Sequence, residues 1–225
     1  MAAALIPPLI LVYIIYKMDK IEREPVRLLT SLFLRGVVAM FPILILELIG
    51  DKVVSVFSWS QLLYLFFAYF VIPGFIEEGV KYVVVIRRAW NDPNFNYTFD
   101  AVVYAVFASL GFAAVENIMY VVTTGFSTAV VRAVFSIPGH AMFGVVMGAG
   151  LAKAKRLEVL GDLTAAESAK TRAWITAAIL HGLYDFLLVA FGWVFYLYFA
   201  GLVIYVVRLL KRSAREDGPI RNTYL

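Results

Sequence analysis

The chain is organised as long apolar stretches separated by short polar ones, which is the pattern of helices that cross a membrane. Most of these stretches approach the roughly 20 residues that a helix needs to span a bilayer. Seven spans are predicted, at residues 3–16, 32–49, 59–86, 99–123, 131–152, 173–190 and 193–207. We therefore predict an all-α fold, a polytopic transmembrane helical bundle that forms one domain over residues 1–225.

The first stretch is the shortest, and a cleaved signal peptide is the competing interpretation of residues 1–16. No basic residue precedes its apolar run, and no small-x-small cleavage site follows it. Because a signal peptide is expected to carry both features, we interpret residues 3–16 as a short first span.

The basic residues predict how this bundle is oriented. If the N-terminus lies outside, 17 of the 20 Lys and Arg fall in inner segments, which leaves Lys52 and Arg132 outside and Lys81 within a span. Inner loops of membrane proteins carry an excess of Lys and Arg. The expected topology is therefore N-out and C-in.

Composition agrees with a membrane protein and narrows its chemistry. Apolar residues make up 62% of the chain and charged residues 16%, against roughly 45–50% and about 25% in typical soluble domains. The isoelectric point of 9.2 follows from the inner basic residues, so we expect a lipid bilayer and no nucleic acid as partner. With no cysteine, a thiol nucleophile and a thiolate metal site are both excluded.

Ionisable residues occur inside four of the predicted spans, where a charge costs roughly 2.5–3.5 kcal/mol to insert. They are Glu77, Glu78 and Lys81 in span 59–86, Glu116 with Asn117 in span 99–123, His140 in span 131–152, and His181 with Asp185 in span 173–190. At about 1.5 Å per residue from inner basic residues, or from Asp100 in the case of Glu116, all four positions fall in the middle or outer half of the bilayer. We therefore predict one shared internal site.

Spacing within the spans supports such a site. His181 and Asp185 are four residues apart, so a carboxylate can orient the imidazole on one helix face. Pro73-Gly74 and Pro138-Gly139 precede the Glu pair and His140, and both are expected to distort their helices.

Two other features have simpler interpretations. Gly144 and Gly148 form a GxxxG pattern, which predicts close packing against a neighbouring helix rather than chemistry. Glu47, near the outer end of span 32–49, is expected to lie at the membrane interface.

Three kinds of chemistry fit these residues. A carboxylate can activate water for peptide hydrolysis while a histidine stabilises the oxyanion. Alternatively, His140 and His181 with one carboxylate can bind Zn²⁺ while the remaining Glu acts as base. The same residues could also form the proton relay of a proton-coupled transporter or channel, although the two halves show no internal symmetry.

Five segments carry a resemblance to a known family. They are Phe75-Ile76-Glu77-Glu78-Gly79-Val80-Lys81, Phe99-Asp100-Ala101-Val102-Val103-Tyr104, Gly111-Phe112-Ala113-Ala114-Val115-Glu116-Asn117, Pro138-Gly139-His140 and His181-Gly182-Leu183-Tyr184-Asp185. In this order they resemble the PrsW family of intramembrane proteases, which is related to the CAAX prenyl endopeptidases and bacteriocin-processing proteins. The resemblance implies a prokaryotic plasma membrane and a membrane-anchored substrate, such as an anti-sigma factor cut first on its outer side under envelope stress.

The resemblance also implies roles for the site residues. Glu77 matches the water-activating carboxylate, His140 matches its partner, and His181 with Asp185 matches the oxyanion-stabilising pair. Glu116 is a PrsW-like feature that would orient a histidine or complete a metal shell, and Asn117 and Lys81 would support the site. The wider pattern is EExxxR whereas this chain has EExxK, so Glu77 and Glu78 both remain candidates for the base. On the favoured mechanism no cofactor is required, and Zn²⁺ belongs to the alternative.

Overall fold

The computed structural model describes residues 2–220, which form α-helices and one π-helical turn. The helices are α1 (Ala2–Met18), α2 (Val26–Ser55), α3 (Gln61–Phe66), the π-helix Phe67–Val71, α4 (Ile72–Ala89), α5 (Asp100–Thr124), α6 (Phe126–Val134), α7 (Ser136–Val159), α8 (Leu163–Ala190) and α9 (Gly192–Arg215). Met1 and residues 221–225 lie outside the described residues. The predicted domain includes them, and Arg221 is one of the basic residues predicted to lie inside.

The predicted fold class is confirmed. Six helical segments of the described residues are long and apolar enough to span a membrane, with α6 and α7 counted as one and α3 continuing through the π-helix into α4. The seventh predicted span is α1, which has 17 residues and is shorter than a usual straight span.

Short connections place the helix ends in two groups. The loops at residues 19–25, 90–99 and 160–162, together with the segment after α9, lie at one end, where Arg88, Lys155, Lys170 and Arg212 are also found. We call this the basic end. The loops at residues 56–60, 125 and 191 lie at the opposite end.

Helix α5 is the central element of the bundle, and most of its residues are buried. A Cβ atom added at Gly148 of α7 would collide with Val102 of α5, and one added at Gly144 would lie 3.0 Å from the Val106 Cα atom. The GxxxG pattern therefore packs α7 directly against α5, as predicted.

A second close contact joins α4 to α8 beside the predicted site. A Cβ atom at Gly74 would lie 2.6 Å from the carbonyl oxygen of Ala178, and one at Gly182 would collide with the carbonyl of Phe70. Glycine at both positions lets the two backbones approach, which brings the Glu pair of α4 next to the histidine of α8.

The two Pro-Gly pairs distort the chain in different ways. Pro73 follows the π-helix Phe67–Val71, so the helical path widens there instead of breaking. Before Pro138, the chain ends α6 at Val134 and starts α7 at Ser136, so the predicted span 131–152 is split into two helices at Phe135.

The basic end contains a group of buried acids that the sequence did not indicate. Asp19, Glu24 and Asp100 are each 3% exposed or less. The Tyr104 hydroxyl donates to Glu24 Oε2 at 2.6 Å, and the backbone N–H groups of Asn96 and Tyr97 donate to Asp100 Oδ2. All these partners are electrically neutral.

Candidate active site

Helix α4 supplies the acidic pair and a lysine just after the Pro-Gly step. Glu77, Glu78 and Lys81 are all buried, and the Lys81 Nζ atom donates to Glu77 Oε2 at 2.8 Å and to Glu78 Oε1 at 2.9 Å. Lysine at i+4 and i+3 from the two acids can reach both from one helix face. Neither glutamate is therefore left without a cation partner, so pairing with Lys81 does not decide which one is the base.

The two histidines lie on either side of this group, with their ring centres 5.3 Å apart. The Nδ1 atom of His140 is 3.3 Å from Lys81 Nζ, and the Nδ1 atom of His181 is 3.0 Å from Glu78 Oε1. Their Nε2 atoms point to other carboxylates, at 2.9 Å to Glu116 Oε2 and 3.2 Å to Asp185 Oδ2. Each imidazole thus presents one nitrogen to the centre and is oriented by a carboxylate at the other.

The environments of the two rings differ. His140 can accept a hydrogen bond from Lys81 at Nδ1 and donate one from Nε2 to Glu116. His181 has carboxylate oxygens at both nitrogens, from Glu78 and Asp185. Because a neutral imidazole has only one N–H, both contacts of His181 are satisfied by an imidazolium, by a protonated carboxyl that donates to the ring, or by a cation near Nδ1.

A cavity of about 460 Å³ reaches the site from the end opposite the basic end. It is lined by Glu77, Glu116, His140, His181 and Asp185, and farther out by Glu47 and Asp51. Glu78 and Lys81 do not line the cavity, and the side chain of Glu78 has no exposed surface. Of the two glutamates, Glu77 is therefore the one that a water molecule or peptide in the cavity meets.

The structure brings seven of the eight sequence-predicted residues together and places Asn117 differently. Glu77, Glu78, His140, His181, Asp185 and Glu116 surround one centre with Lys81. Asn117 is turned away from this centre, since its Nδ2 atom donates to the Ala4 carbonyl oxygen at 2.7 Å. Glu47, expected at the membrane interface, lines the same cavity as the site.

One residue of the site was not predicted. Arg132 of α6 donates from Nη2 to Glu116 Oε2 at 2.6 Å and from Nε to Asn117 Oδ1 at 3.0 Å. The available signal was its position as one of only two basic residues predicted on the outer side. Its partners could not be predicted, because α6 and α7 were interpreted as one continuous span.

The donor set at the centre fits a divalent metal ion. One ligand atom each from Glu77, Glu78, His140 and His181 lies within 4.8 Å of all the others. Imidazole and carboxylate are zinc ligands, and metal-bound histidines usually donate their second N–H to a carboxylate, the place that Glu116 and Asp185 take here. Glu78 Oε2 is buried and has no hydrogen-bond partner among the described residues.

The charges around the centre are also consistent with a bound divalent cation. Four carboxylates face two permanent cations; the acids are Glu77, Glu78, Glu116 and Asp185, and the cations are Lys81 and Arg132. With both histidines neutral, this leaves two uncompensated negative charges in a buried site. Two added protons or one divalent cation would balance them.

Comparison with known proteins gives a consistent result. The family model described as PrsW family intramembrane metalloprotease matches residues 24–210. Protease PrsW of Bacillus subtilis (strain 168) is 33% identical over 202 residues, which cover 87% of this chain and 86% of the relative. Protease PrsW of Clostridioides difficile (strain 630) is 33% identical over 213 residues, covering 92% and 85%, and that of Geobacillus kaustophilus (strain HTA426) is 31% identical over 226 residues, covering 97% and 93%. No solved structure matches significantly.

Proposed function

Since the chain belongs to the PrsW family of intramembrane proteases, integral proteins of the bacterial plasma membrane, we propose that it hydrolyses a peptide bond in or near the membrane segment of a membrane-anchored protein. The observation that carries the proposal is that Glu77, His140 and His181 line the same cavity. The substrate we propose is an anti-sigma factor, cut first on its outer side during envelope stress.

Glu77 acts as the base in the proposed mechanism. It lines the cavity, so its carboxylate can take a proton from a water molecule as that water attacks the carbonyl carbon of the substrate. The carbon–nitrogen bond then breaks, and the protonated Glu77 returns the proton to the leaving amine. Glu78 stays buried and holds Lys81 and His181 in place.

His181, as the imidazolium that its two carboxylate contacts favour, stabilises by its positive charge the negative charge that develops on the carbonyl oxygen, while His140 is the partner of Glu77. His140 and His181 both line the cavity, and Glu116 and Asp185 fix the orientation of their rings. A preorganised charge of this kind contributes strongly to acyl-transfer reactions, because it needs no reorganisation when the oxyanion forms.

A metal-assisted version of the same reaction is the second candidate, favoured by the convergence of four donor atoms. His140, His181 and one of the two glutamates are the residues that would hold zinc, the other glutamate would act as the base, and zinc would supply Lewis acidity at the carbonyl and to the attacking water. Orientation by Glu116 and Asp185 is needed in both versions.

The orientation of the bundle supports an outer-side cut. The cavity reaches the end opposite the basic residues, and the positive-inside rule assigns that end to the outer face. We expect a reporter fused after Asn91 to lie inside and one fused near Asp51 to lie outside. The reverse result would contradict both the topology and the proposed side of cleavage.

The deciding experiment is proteolysis by the purified full-length protein in detergent, with a panel of single-pass substrates and cut sites identified by mass spectrometry. We expect wild type to cleave and Glu77→Gln to lose about 10²–10⁴-fold in rate, the usual contribution of a general base. Glu216→Gln, which removes an exposed acid at the basic end, is the matched control and should cleave normally. Equal cleavage by wild type and Glu77→Gln would refute Glu77 as the base.

A second measurement distinguishes the two versions of the mechanism. Zinc bound per chain is determined on protein purified without added metal, and the cleavage assay is repeated with a chelator and after metal is restored. Activity that survives complete metal removal supports water activation by glutamate alone. Activity that is lost and then restored by Zn²⁺, with less zinc bound in His140→Ala, supports the metal-assisted version.

The transporter hypothesis makes a different prediction for the same preparation. Proton-dependent uptake into proteoliposomes, without proteolysis of any substrate, would favour it over the protease. Family membership instead assigns the chain to proteases.

A further inference from the structure

Arg132 lies at the predicted outer side of the bundle, where the positive-inside rule gives no reason for an arginine. The other sequence-predicted outer basic residue, Lys52, is exposed on α2, whereas the Arg132 side chain is only 12% exposed and lines the cavity of the site. A guanidinium held in a membrane-spanning bundle is costly unless it is paired. Its position therefore requires an explanation beyond the orientation of the bundle.

The contacts of Arg132 are all made to one face of α5. Its side chain donates to Glu116 Oε2 and Asn117 Oδ1, and its guanidinium carbon is 4.1 Å from the centre of the Tyr120 ring. Asn117 in turn donates to the Ala4 carbonyl oxygen, so α1 also contributes to this arrangement. Three contacts on a planar group fix its orientation far better than one ion pair between flexible chains.

The acceptor for Arg132 is also the acceptor for the histidine. Glu116 Oε2 lies 2.6 Å from Arg132 Nη2 and 2.9 Å from His140 Nε2. The guanidinium therefore sets the position of the oxygen that orients the His140 ring, and with it the direction in which His140 Nδ1 points toward the centre.

The local backbone explains how Arg132 reaches this position. Gly125 has a φ of 93°, a left-handed conformation that suits glycine, and it separates α5 from α6. Another break, at Phe135, separates α6 from α7. Because of these two breaks α6 is a short independent helix, which holds Arg132 against α5 while His140 follows on α7.

We propose that Arg132 is a positioning residue that acts on His140 through Glu116. The expected effect on kcat rests on the proposed proteolytic function. The expected effect on the orientation of the His140 ring does not. Residues that orient a histidine in this manner typically contribute about 10–100-fold to activity.

The kinetic test compares Arg132→Gln and Arg132→Lys with wild type and with Lys52→Gln, a control at the same end of the bundle. We expect Arg132→Gln to lower kcat about 10–100-fold with KM changed by less than about twofold. Arg132→Lys should recover part of the loss, because it keeps the charge beside Glu116 but not the planar fork. Lys52→Gln should behave as wild type.

A double variant tests the route through Glu116. If Arg132 acts through that residue, Glu116→Gln combined with Arg132→Gln should have the same kcat as Glu116→Gln alone. Losses that multiply would contradict the proposal, because Arg132 would then act on its own.

NMR of the histidine rings tests the positioning role of Arg132 even if no substrate is cleaved. The chain has only two histidines, so protein labelled with ¹⁵N-histidine gives two sets of ring signals, which His181→Gln assigns. We expect Arg132→Gln to shift the His140 ring signals and to leave those of His181 in place. Unchanged His140 signals, or shifts of both rings together with a lowered melting temperature, would overturn the proposal. Lack of cleavage by wild type with a selective His140 shift would refute only the proposed function.

Discussion

The protein buries two groups of carboxylates, and they are compensated in different ways. In the central site, Lys81 pairs with Glu77 and Glu78, and Arg132 pairs with Glu116. At the basic end, none of the acids Asp19, Glu24 and Asp100 forms an ion pair within residues 2–220, and their partners are a tyrosine hydroxyl and backbone N–H groups.

This difference has an electrostatic consequence. Burial raises the pKa of Glu24 to about 7 and also raises the pKa of Asp19, against opposing hydrogen bonds from Tyr104 and from the backbone of Glu24 respectively. Neutral donors offset only part of the cost of burying a carboxylate. The comparison teaches that the central acids have cation partners, whereas Glu24, which has only a neutral donor, becomes sensitive to pH near neutrality.

Removal of the central cation should have the largest effect on stability. Lys81→Met leaves Glu77 and Glu78 adjacent, buried and without their shared partner, which we expect to destabilise the fold by about 3–5 kcal/mol. The measurement is the melting temperature in detergent, with Lys153→Met as control because Lys153 is exposed on α7. An unchanged melting temperature for Lys81→Met would show that Lys81 does not compensate the acids.

The second prediction concerns pH at the basic end. The raised pKa of Glu24 means that the folded protein holds this proton more tightly than the unfolded chain, whose carboxyl has a pKa near 4.5. The resulting stability is fully present below that value and is lost as pH rises through about 7. Glu24→Gln, which resembles the protonated acid, should therefore flatten the decline of melting temperature between acid and neutral pH.

The control for this pH profile is Glu216→Gln, because Glu216 is exposed at the same end. Part of the decline should persist in Glu24→Gln, since the pKa of Asp19 is raised as well. A Glu24→Gln profile that overlays that of wild type would contradict the raised pKa of Glu24 in the folded protein.

Removal of the neutral hydrogen-bond donor Tyr104 should have the smallest effect on stability. Tyr104→Phe removes the hydroxyl that donates to Glu24 at 2.6 Å and leaves the surrounding packing intact. We expect a loss of about 1–2 kcal/mol, the usual cost of a buried polar group without its partner. The loss should be larger at neutral pH than at acid pH, because the ionised carboxylate depends more on the donor. A loss that does not vary with pH would indicate a packing effect.

Much of the candidate site was predictable, because its residues are ionisable groups within apolar segments, where such groups are rare. Glu77, His140 and His181 are conspicuous as ionisable groups in apolar stretches, and the pairs Glu77–Lys81 and His181–Asp185 follow from helix periodicity. Arg132 and Glu24 were not identified, because arginine near a span end and glutamate in a loop are ordinary in sequence. Their burial results from helices that are distant in the chain.

What the sequence determined by itself is the set of apolar segments, since the free energy of placing a helix in lipid depends on the composition of that segment alone. It also determined which residues share a helix face. Only the tertiary structure decided that Glu77 rather than Glu78 lines the cavity, that Glu116 pairs with His140, and that α6 separates from α7. These outcomes depend on close packing between α4 and α8 and between α5 and α7, which involves residues far apart in the sequence and has no local pattern.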